Sequence, residues 1–321
     1  MAADLPPPPP PTRSLSRRAL LQGAAALGVA GAAGGLGLAA CGDDDGDGDG
    51  DGTGDGPAGT GGATPSLSLV TLLNPAASLA AGTEARLPLA VGDERGALVD
   101  DSPDELTFEV RTVGGQVVER ALPVARRSDG LPQAYYPLVF TPPSAGNYLA
   151  TTEVDGAALE AAFAVSPVAA ITIPRPGQPF PSLSTPTTEA PGQVDPVCTR
   201  EPACPLHDVD LATVLGTAPV ALLVSTPAFC QQAICGPVLD VLLAARAEAP
   251  DVRFLHLEVY RTAAEVEAQG LEAPLSPAVE ELGLPFEPCL FLIAADGTLA
   301  RRVDVIFDQG ELGERLAELT A

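Results

Sequence analysis

Hydrophobic and polar positions change rhythm several times along the chain. Residues 19 to 39 are almost all Ala, Gly, Leu and Val, with Gln22 the only polar side chain. From residue 66 to 167 short apolar runs recur: Leu67 to Leu73, Ala85 to Val91, Leu106 to Val113, Val117 to Val124, Tyr135 to Phe140, Tyr148 to Val154 and Leu159 to Val165. Several alternate with period two, as half-buried strands do. Leu106, Phe108 and Val110 point one way, and Thr107, Glu109 and Arg111 the other. Gly114-Gly115 and Asp155-Gly156 are turn signals between runs. This stretch predicts an all-β domain.

From residue 194 the pattern becomes α/β. Val209 to Leu215 predicts a short helix, and Pro219 to Ser225 a buried strand. Cys235 to Ala249 has helical spacing, with apolar residues at 238, 239, 242 and 243. Val252 to Tyr260 predicts a strand, and Pro277 to Leu282 a short helix capped by Ser276. Leu290 to Ala294 and Leu299 to Ile306 form an expected hairpin turning on Asp296-Gly297, and Glu311 to Leu319 the last helix. Between the two domains, residues 168 to 193 are rich in Pro, Ser and Thr, which predicts an extended linker.

Composition adds limits. The 321 residues carry a formal charge of -25. Nucleic acid is therefore excluded as a partner through bulk electrostatics. All 17 basic residues are Arg, which with the Ala, Gly and Pro content suggests a GC-rich genome. Trp is absent, so the cores must be built mainly from Leu, Val, Ala and Ile. Residues 42 to 65 alternate Asp with Gly; they repel one another, lack the spacing of a calcium loop and predict a disordered spacer.

Two resemblances give these segments a setting. Arg17 and Arg18 before the apolar run 19 to 39 resemble a twin-arginine export signal. Leu38-Ala39-Ala40-Cys41 resembles the lipobox of bacterial lipoproteins. That resemblance implies lipidation of Cys41 and anchoring at the extracytoplasmic face of the bacterial membrane; an uncleaved N-terminal helix is the alternative. The residue 66 to 167 pattern fits a seven-strand immunoglobulin-like sandwich without the Cys-Trp-Cys framework. In it, Pro-Ser-Ala-Gly-Asn-Tyr148 resembles the turn into a late strand, and of Tyr135 and Tyr136 one is expected inside and one over an edge.

The order of elements over 194 to 321 resembles the thioredoxin fold. Cys230 follows the strand at 220 to 225, and Cys235 opens the next helix. Gly177-Gln178-Pro179-Phe180-Pro181 resembles the approach to such a domain. Glu287-Pro288 before CLFLIAADG matches the place of the family's cis-proline, facing the Cys pair. The resemblance implies a thiol-disulfide exchange site of Cys230, Cys235 and Pro288. A helix N-terminus favours thiolate over thiol, and a second Cys resolves a mixed disulfide.

Four residues separate these Cys, where thioredoxins have two. In a regular helix that separation suits a disulfide poorly, so Cys230 sits before the helix or the first turn unwinds. The spacing and Thr226-Pro227 resemble one peroxiredoxin subfamily, although Pro227 stands where that family has Thr or Ser and its activating Arg is not evident.

The remaining Cys divide as follows. Cys198 and Cys204 flank a short Pro-containing loop and are expected to form a structural disulfide. Cys289 is left as an unpaired thiol on a buried strand. His207 and His256 are the only His; His256 reads as a core or edge residue, and no metal is expected. The expectation is two domains, an all-β immunoglobulin-like sandwich followed by an α/β thioredoxin-like fold. Its function is that of a lipid-anchored thiol-disulfide oxidoreductase-like protein acting on protein thiols or disulfides, without a cofactor. The alternatives are a non-catalytic binding lipoprotein braced by disulfides and a thiol peroxidase.

Overall fold

The computed structural model describes residues 67–230 and 233–321. The export and lipidation features at 1–41, Cys41 among them, and the 42–65 spacer lie outside the described residues. No helix among the described residues is long and apolar enough to cross a membrane.

The first domain is β-rich. Strands β1 (Ser68–Thr71), β2 (Ala85–Gly92) and β5 (Tyr136–Phe140) form one antiparallel sheet in the order β1-β2-β5. Strands β3 (Glu105–Thr112), β4 (Val117–Ala125), β6 (Gly146–Val154) and β7 (Ala157–Val165) form a second, ordered β4-β3-β6-β7. The period-two alternation sorts the side chains. Leu87, Leu89, Tyr136 and Leu138 from one sheet and Phe108, Val110, Tyr148 and Ala150 from the other are fully or almost fully buried in one core. Phe108 meets Tyr136 edge-on at 6.4 Å, and Phe140 meets Phe163 at 5.6 Å, so aromatic pairs bridge the two sheets. The Tyr148 hydroxyl donates to the Ser144 carbonyl at 2.6 Å and pins the turn into β6. A four-residue helix, α1 (Pro75–Ser78), sits between β1 and β2.

The second domain is built on β8 (Val220–Val224), β9 (Arg253–Leu257), β10 (Cys289–Ile293) and β11 (Leu299–Asp304), in the order β11-β10-β8-β9. β8 runs parallel to β9, while β10 is antiparallel to β8 and β11. Helices α2 (Leu211–Val214), α3 (Cys235–Ala245), α4 (Ala263–Gln269), α5 (Pro277–Leu282) and α6 (Gln309–Thr320) complete it. The parallel pair needs a crossover, and α3 supplies it. This order and these directions define a thioredoxin-like fold.

Every residue of β8 and β10 is buried, because the sheet is covered on both faces. Ala221, Leu223, Leu290 and Leu292 share a cluster with Val238, Leu242, Leu312 and Leu316 of α3 and α6. Val220, Leu222, Val224 and Phe291 share the other with Ala278, Val279 and Leu282 of α5.

The Pro-rich segment 168 to 193, expected as a linker, supplies part of that second cluster. Ile171, Ile173, Phe180 and Leu183 are buried in it, and Phe180 packs edge-on against Phe291 at 5.1 Å. Its backbone bonds to β11 and the turn before it: Gly177 N to Leu299 O at 2.8 Å, Leu299 N to Gln178 O at 2.9 Å and Phe180 N to Gly297 O at 2.9 Å. Proline fixes the chain extended, and the apolar side chains between the prolines find a sheet face to cover.

The two domains share one compact unit, residues 66–321. Arg86 of β2 reaches into the N-terminus of α6. Its Nε and Nη2 donate to the two Glu311 oxygens at 2.7 Å each, and further bonds go to the carbonyls of Asp304 and Ile306. The Tyr135 hydroxyl donates to Glu311 at 2.6 Å and accepts from the Asp308 amide at 2.9 Å. Asp308 caps α6 and also accepts from the amides of Ser128 and Asp129. Tyr135 and Tyr136 are thus both fully buried, and neither covers an edge: Tyr136 lies in the sandwich core and Tyr135 in the domain interface. Nearby, the buried Arg302–Asp304 pair at 2.8 Å takes in Ser78 of α1 through hydrogen bonds to both partners.

Candidate functional site

Cys230 and Cys235 form a disulfide, with their Cα atoms 5.9 Å apart. That separation lies in the ordinary range for a bridge. The sequence left open how five-residue spacing allows it. Cys230 stands before α3, and Cys235 is its first residue. The chain returns through Ala233, whose φ of 52° is left-handed, and the Ala233 amide bonds back to the Cys230 carbonyl at 3.3 Å. Cys235 is fully buried, whereas Cys230 is half-buried. Of the two, Cys230 is therefore the residue with surface left open to solvent.

The Glu287-Pro288 peptide is cis, immediately before β10. A Glu287 carboxylate oxygen lies 3.7 Å from the Cys235 sulfur, which ties the cis-proline turn to the disulfide. Cys289, next along, is a free thiol, fully buried and 3.5 Å from an Asp304 oxygen; burial pushes its pKa well up. Its side chain faces the core cluster with Phe291. Thr226, the hydroxyl closest in sequence to a peroxidase pattern, is buried and accepts the Val259 amide at 3.1 Å.

The expected Cys198–Cys204 bridge is corrected. Both are free and buried, and they stand with His207 and His256 in one cluster whose four ligand atoms lie within 4.8 Å of one another. Cys204 Sγ is 3.3 Å from His207 Nε2 and 3.5 Å from His256 Nδ1. Cys198 Sγ is 3.8 Å from His256 Nδ1, and the two imidazole nitrogens are 3.2 Å apart. Each sulfur faces imidazole nitrogen, so neither His reads as a bare core residue. No metal is expected from the sequence, yet this cluster brings four ligand-type side chains together. A hydrogen bond from Cys204, then His207, His256 and the Cys204 amide, pushes the Cys198 thiol down, against its burial. Cys198-x5-Cys204-x2-His207 was readable as a ligand-rich run; His256 joins it only because the parallel pairing of β9 with β8 carries it there.

This cluster borders the disulfide. Thr199, next to Cys198, donates its amide and hydroxyl to Glu258 at 2.6 and 2.9 Å. Its hydroxyl also accepts the Ala228 amide at 3.2 Å, two residues before Cys230. Burial, against those bonds from Thr199, raises Glu258 to about 8.

No protein-family model matches the chain. No curated protein sequence matches it. Among solved structures it is similar to a thioredoxin-family thiol:disulfide interchange protein from Chlorobium tepidum TLS, at 13% identity, 46% of this chain, 98% of that chain and a TM-score of 0.30. It is also similar to the pneumococcal exposed lipoprotein thioredoxin from Streptococcus pneumoniae strain TIGR4, at 18% identity, 35% and 91% coverage and a TM-score of 0.26. The filamin domain of Lin-41 resembles it at 16% identity, 31% and 90% coverage and a TM-score of 0.22. The fold assignment rests on strand order and direction, not on these likenesses.

Proposed function

We propose that this chain is a lipid-anchored, extracytoplasmic thiol-disulfide oxidoreductase, with Cys230 as the exchanging sulfur, Cys235 as its resolving partner and an immunoglobulin-like module in front. The carrying observation is the Cys230–Cys235 disulfide at the start of α3, beside the cis-Pro288 turn. A substrate thiolate attacks the half-buried Cys230 sulfur, because Cys235 is out of reach. A mixed disulfide forms, the Cys230–Cys235 bond breaks, and Cys235 leaves as thiolate. Glu287, 3.7 Å away, is placed to handle its proton. A second substrate thiol then attacks the substrate sulfur and expels Cys230 as thiolate near the N-terminus of α3. The substrate dithiol is oxidised to a disulfide and the protein pair is reduced; the reverse sequence reduces a substrate. The backbone before Pro288 supplies an edge for an extended partner.

The anchor and compartment rest on the resemblance of residues 1–41 to a lipoprotein signal, and the sandwich reading on seven strands in two sheets with the Tyr148 corner. The test is a redox titration of the full chain with alkylation and mass mapping of Cys230 and Cys235. A midpoint among the exchange catalysts, above about -300 mV, and a mixed disulfide trapped by Cys235→Ser support the reading. A potential below that, with Cys230 closed to alkylation after reduction, assigns the bridge to structure and favours the binding-protein alternative. Rapid sulfenic acid formation at Cys230 on adding peroxide would instead favour the peroxidase.

A further inference from the structure

We propose that Cys198, Cys204, His207 and His256 form a closed, structural Zn2+ site. A tetrahedral zinc with Zn–S of about 2.3 Å and Zn–N of about 2.0–2.1 Å has sulfur–nitrogen edges of about 3.6 Å and a nitrogen–nitrogen edge of about 3.3 Å. Three of the four sulfur–nitrogen separations here are 3.3, 3.5 and 3.8 Å, and the nitrogen–nitrogen separation is 3.2 Å. Four of the six edges thus match those an ion would need, and all four donor atoms lie within 4.8 Å of one another.

The surroundings agree. His256 turns its Nε2 to the Ser225 carbonyl at 3.1 Å and hydroxyl at 3.0 Å. A proton on Nε2 leaves the Nδ1 lone pair directed at the cluster, the outer bond that orients metal-binding histidines. The Cys204 amide donates to Cys198 Sγ at 3.3 Å, a bond that supports a thiolate. All four residues are buried. Two buried thiolates would be costly without compensation, whereas two thiolates, two neutral imidazoles and one Zn2+ sum to zero charge. Binding Zn2+ to the two thiols and two imidazoles releases two protons. A mixed sulfur–nitrogen set suits zinc, and four protein ligands leave no open position for catalysis.

The ion would clamp the loop from 198 to 207 onto β9. That loop carries Thr199, which bonds the Ala228 amide beside the disulfide. The site stands independently of the exchange reaction and uses neither Cys230 nor Cys235.

The test is metal analysis of the full chain, with Co2+ as a spectroscopic probe. We expect one Zn2+ per chain, retained in Cys230→Ser/Cys235→Ser and lost in Cys198→Ser/Cys204→Ser. Co2+ should give strong visible bands of a tetrahedral centre with a sulfur-to-cobalt charge-transfer band. Should the double serine variant fail to fold, the intact protein still decides. Bound Zn2+ should slow alkylation of Cys198 and Cys204 by about tenfold or more, and a chelator should restore it. A Cys198–Cys204 disulfide in the isolated chain, alkylation indifferent to Zn2+, or binding of Cu+ without Zn2+ or Co2+ would overturn the assignment.

Discussion

Replacing Arg86 with Met should remove a large part of what joins the two domains. Its guanidinium meets Glu311 through two bonds of 2.7 Å, and their side chains are 11% and 2% exposed. Loss of the cation leaves the Glu311 carboxylate buried with Tyr135 as its remaining side-chain donor. Breaking a buried pair from one side costs about 3–5 kcal/mol, far above the ~1 kcal/mol of an exposed pair. For a unit of this size that lowers Tm by roughly 6–20 °C. Arg86→Met/Glu311→Leu should recover most of the loss, because no charge is then left unpaired. Urea unfolding reads the outcome in two ways. Tyrosine fluorescence comes mainly from the first domain, which holds Tyr135, Tyr136 and Tyr148 while Tyr260 lies in the second, and helical circular dichroism comes almost wholly from the second. The wild type should unfold in one step by both probes and Arg86→Met in two.

The pair also fixes a pH dependence. Burial pushes Glu311 up, but the charge and hydrogen bonds of Arg86 and the bond from Tyr135 outweigh it and hold the carboxyl below its ordinary value. A carboxyl depressed in the folded state stabilises fully above its unfolded pKa, and that stability fades as pH falls through the folded one. The contribution of the pair should therefore hold above about pH 4.5 and decline below it. A loss under 1 kcal/mol on Arg86→Met, or equal losses in the single and double variants, would refute the reasoning.

Three further outcomes follow from the structure. After reduction, Cys230 in Cys235→Ser should alkylate about tenfold or more faster than Cys235 in Cys230→Ser, because only Cys230 reaches the surface; equal rates by quenched labelling would reject the assigned roles. Ala233→Gly should stabilise the oxidised chain by roughly 0.5–1 kcal/mol, the relief of a left-handed alanine less the added chain entropy, read by thermal unfolding. Phe180→Ala should cost about 3–5 kcal/mol by urea unfolding, since its ring fills the face against Phe291; a loss near zero would make the 168–193 segment a true linker.

Much of the architecture was legible in the sequence. The seven apolar runs of the first domain match β1 to β7 within two residues at most ends, because half-buried strands write their period into the chain. The helix Ala263–Gln269 was not foreseen: only Val266 is buried, so it has no apolar stripe. Its signal was Thr262-Ala-Ala-Glu265, a capping box in which Thr262 accepts the Glu265 amide and reaches its carboxylate. The Cys230–Cys235 pair and Pro288 were readable from their places next to a strand, a helix start and a second strand. The four-ligand cluster was not, because His256 lies 49 residues beyond His207 and only strand pairing unites them. The role of Tyr135 was equally hidden, since its partners Asp308 and Glu311 lie over 170 residues away.

The Pro-rich segment has a consequence for association. An open sheet exposes two rows of unpaired backbone groups, each a template for another chain. Here the segment at 177–180 closes the β11 side through its bonds to Leu299 and Gly297, and the Leu206 carbonyl occupies the His256 amide on the β9 side. Each margin thus has backbone groups occupied by chain from outside the sheet. Protection of the β11 margin from a further strand is then a property of the proline-studded stretch itself.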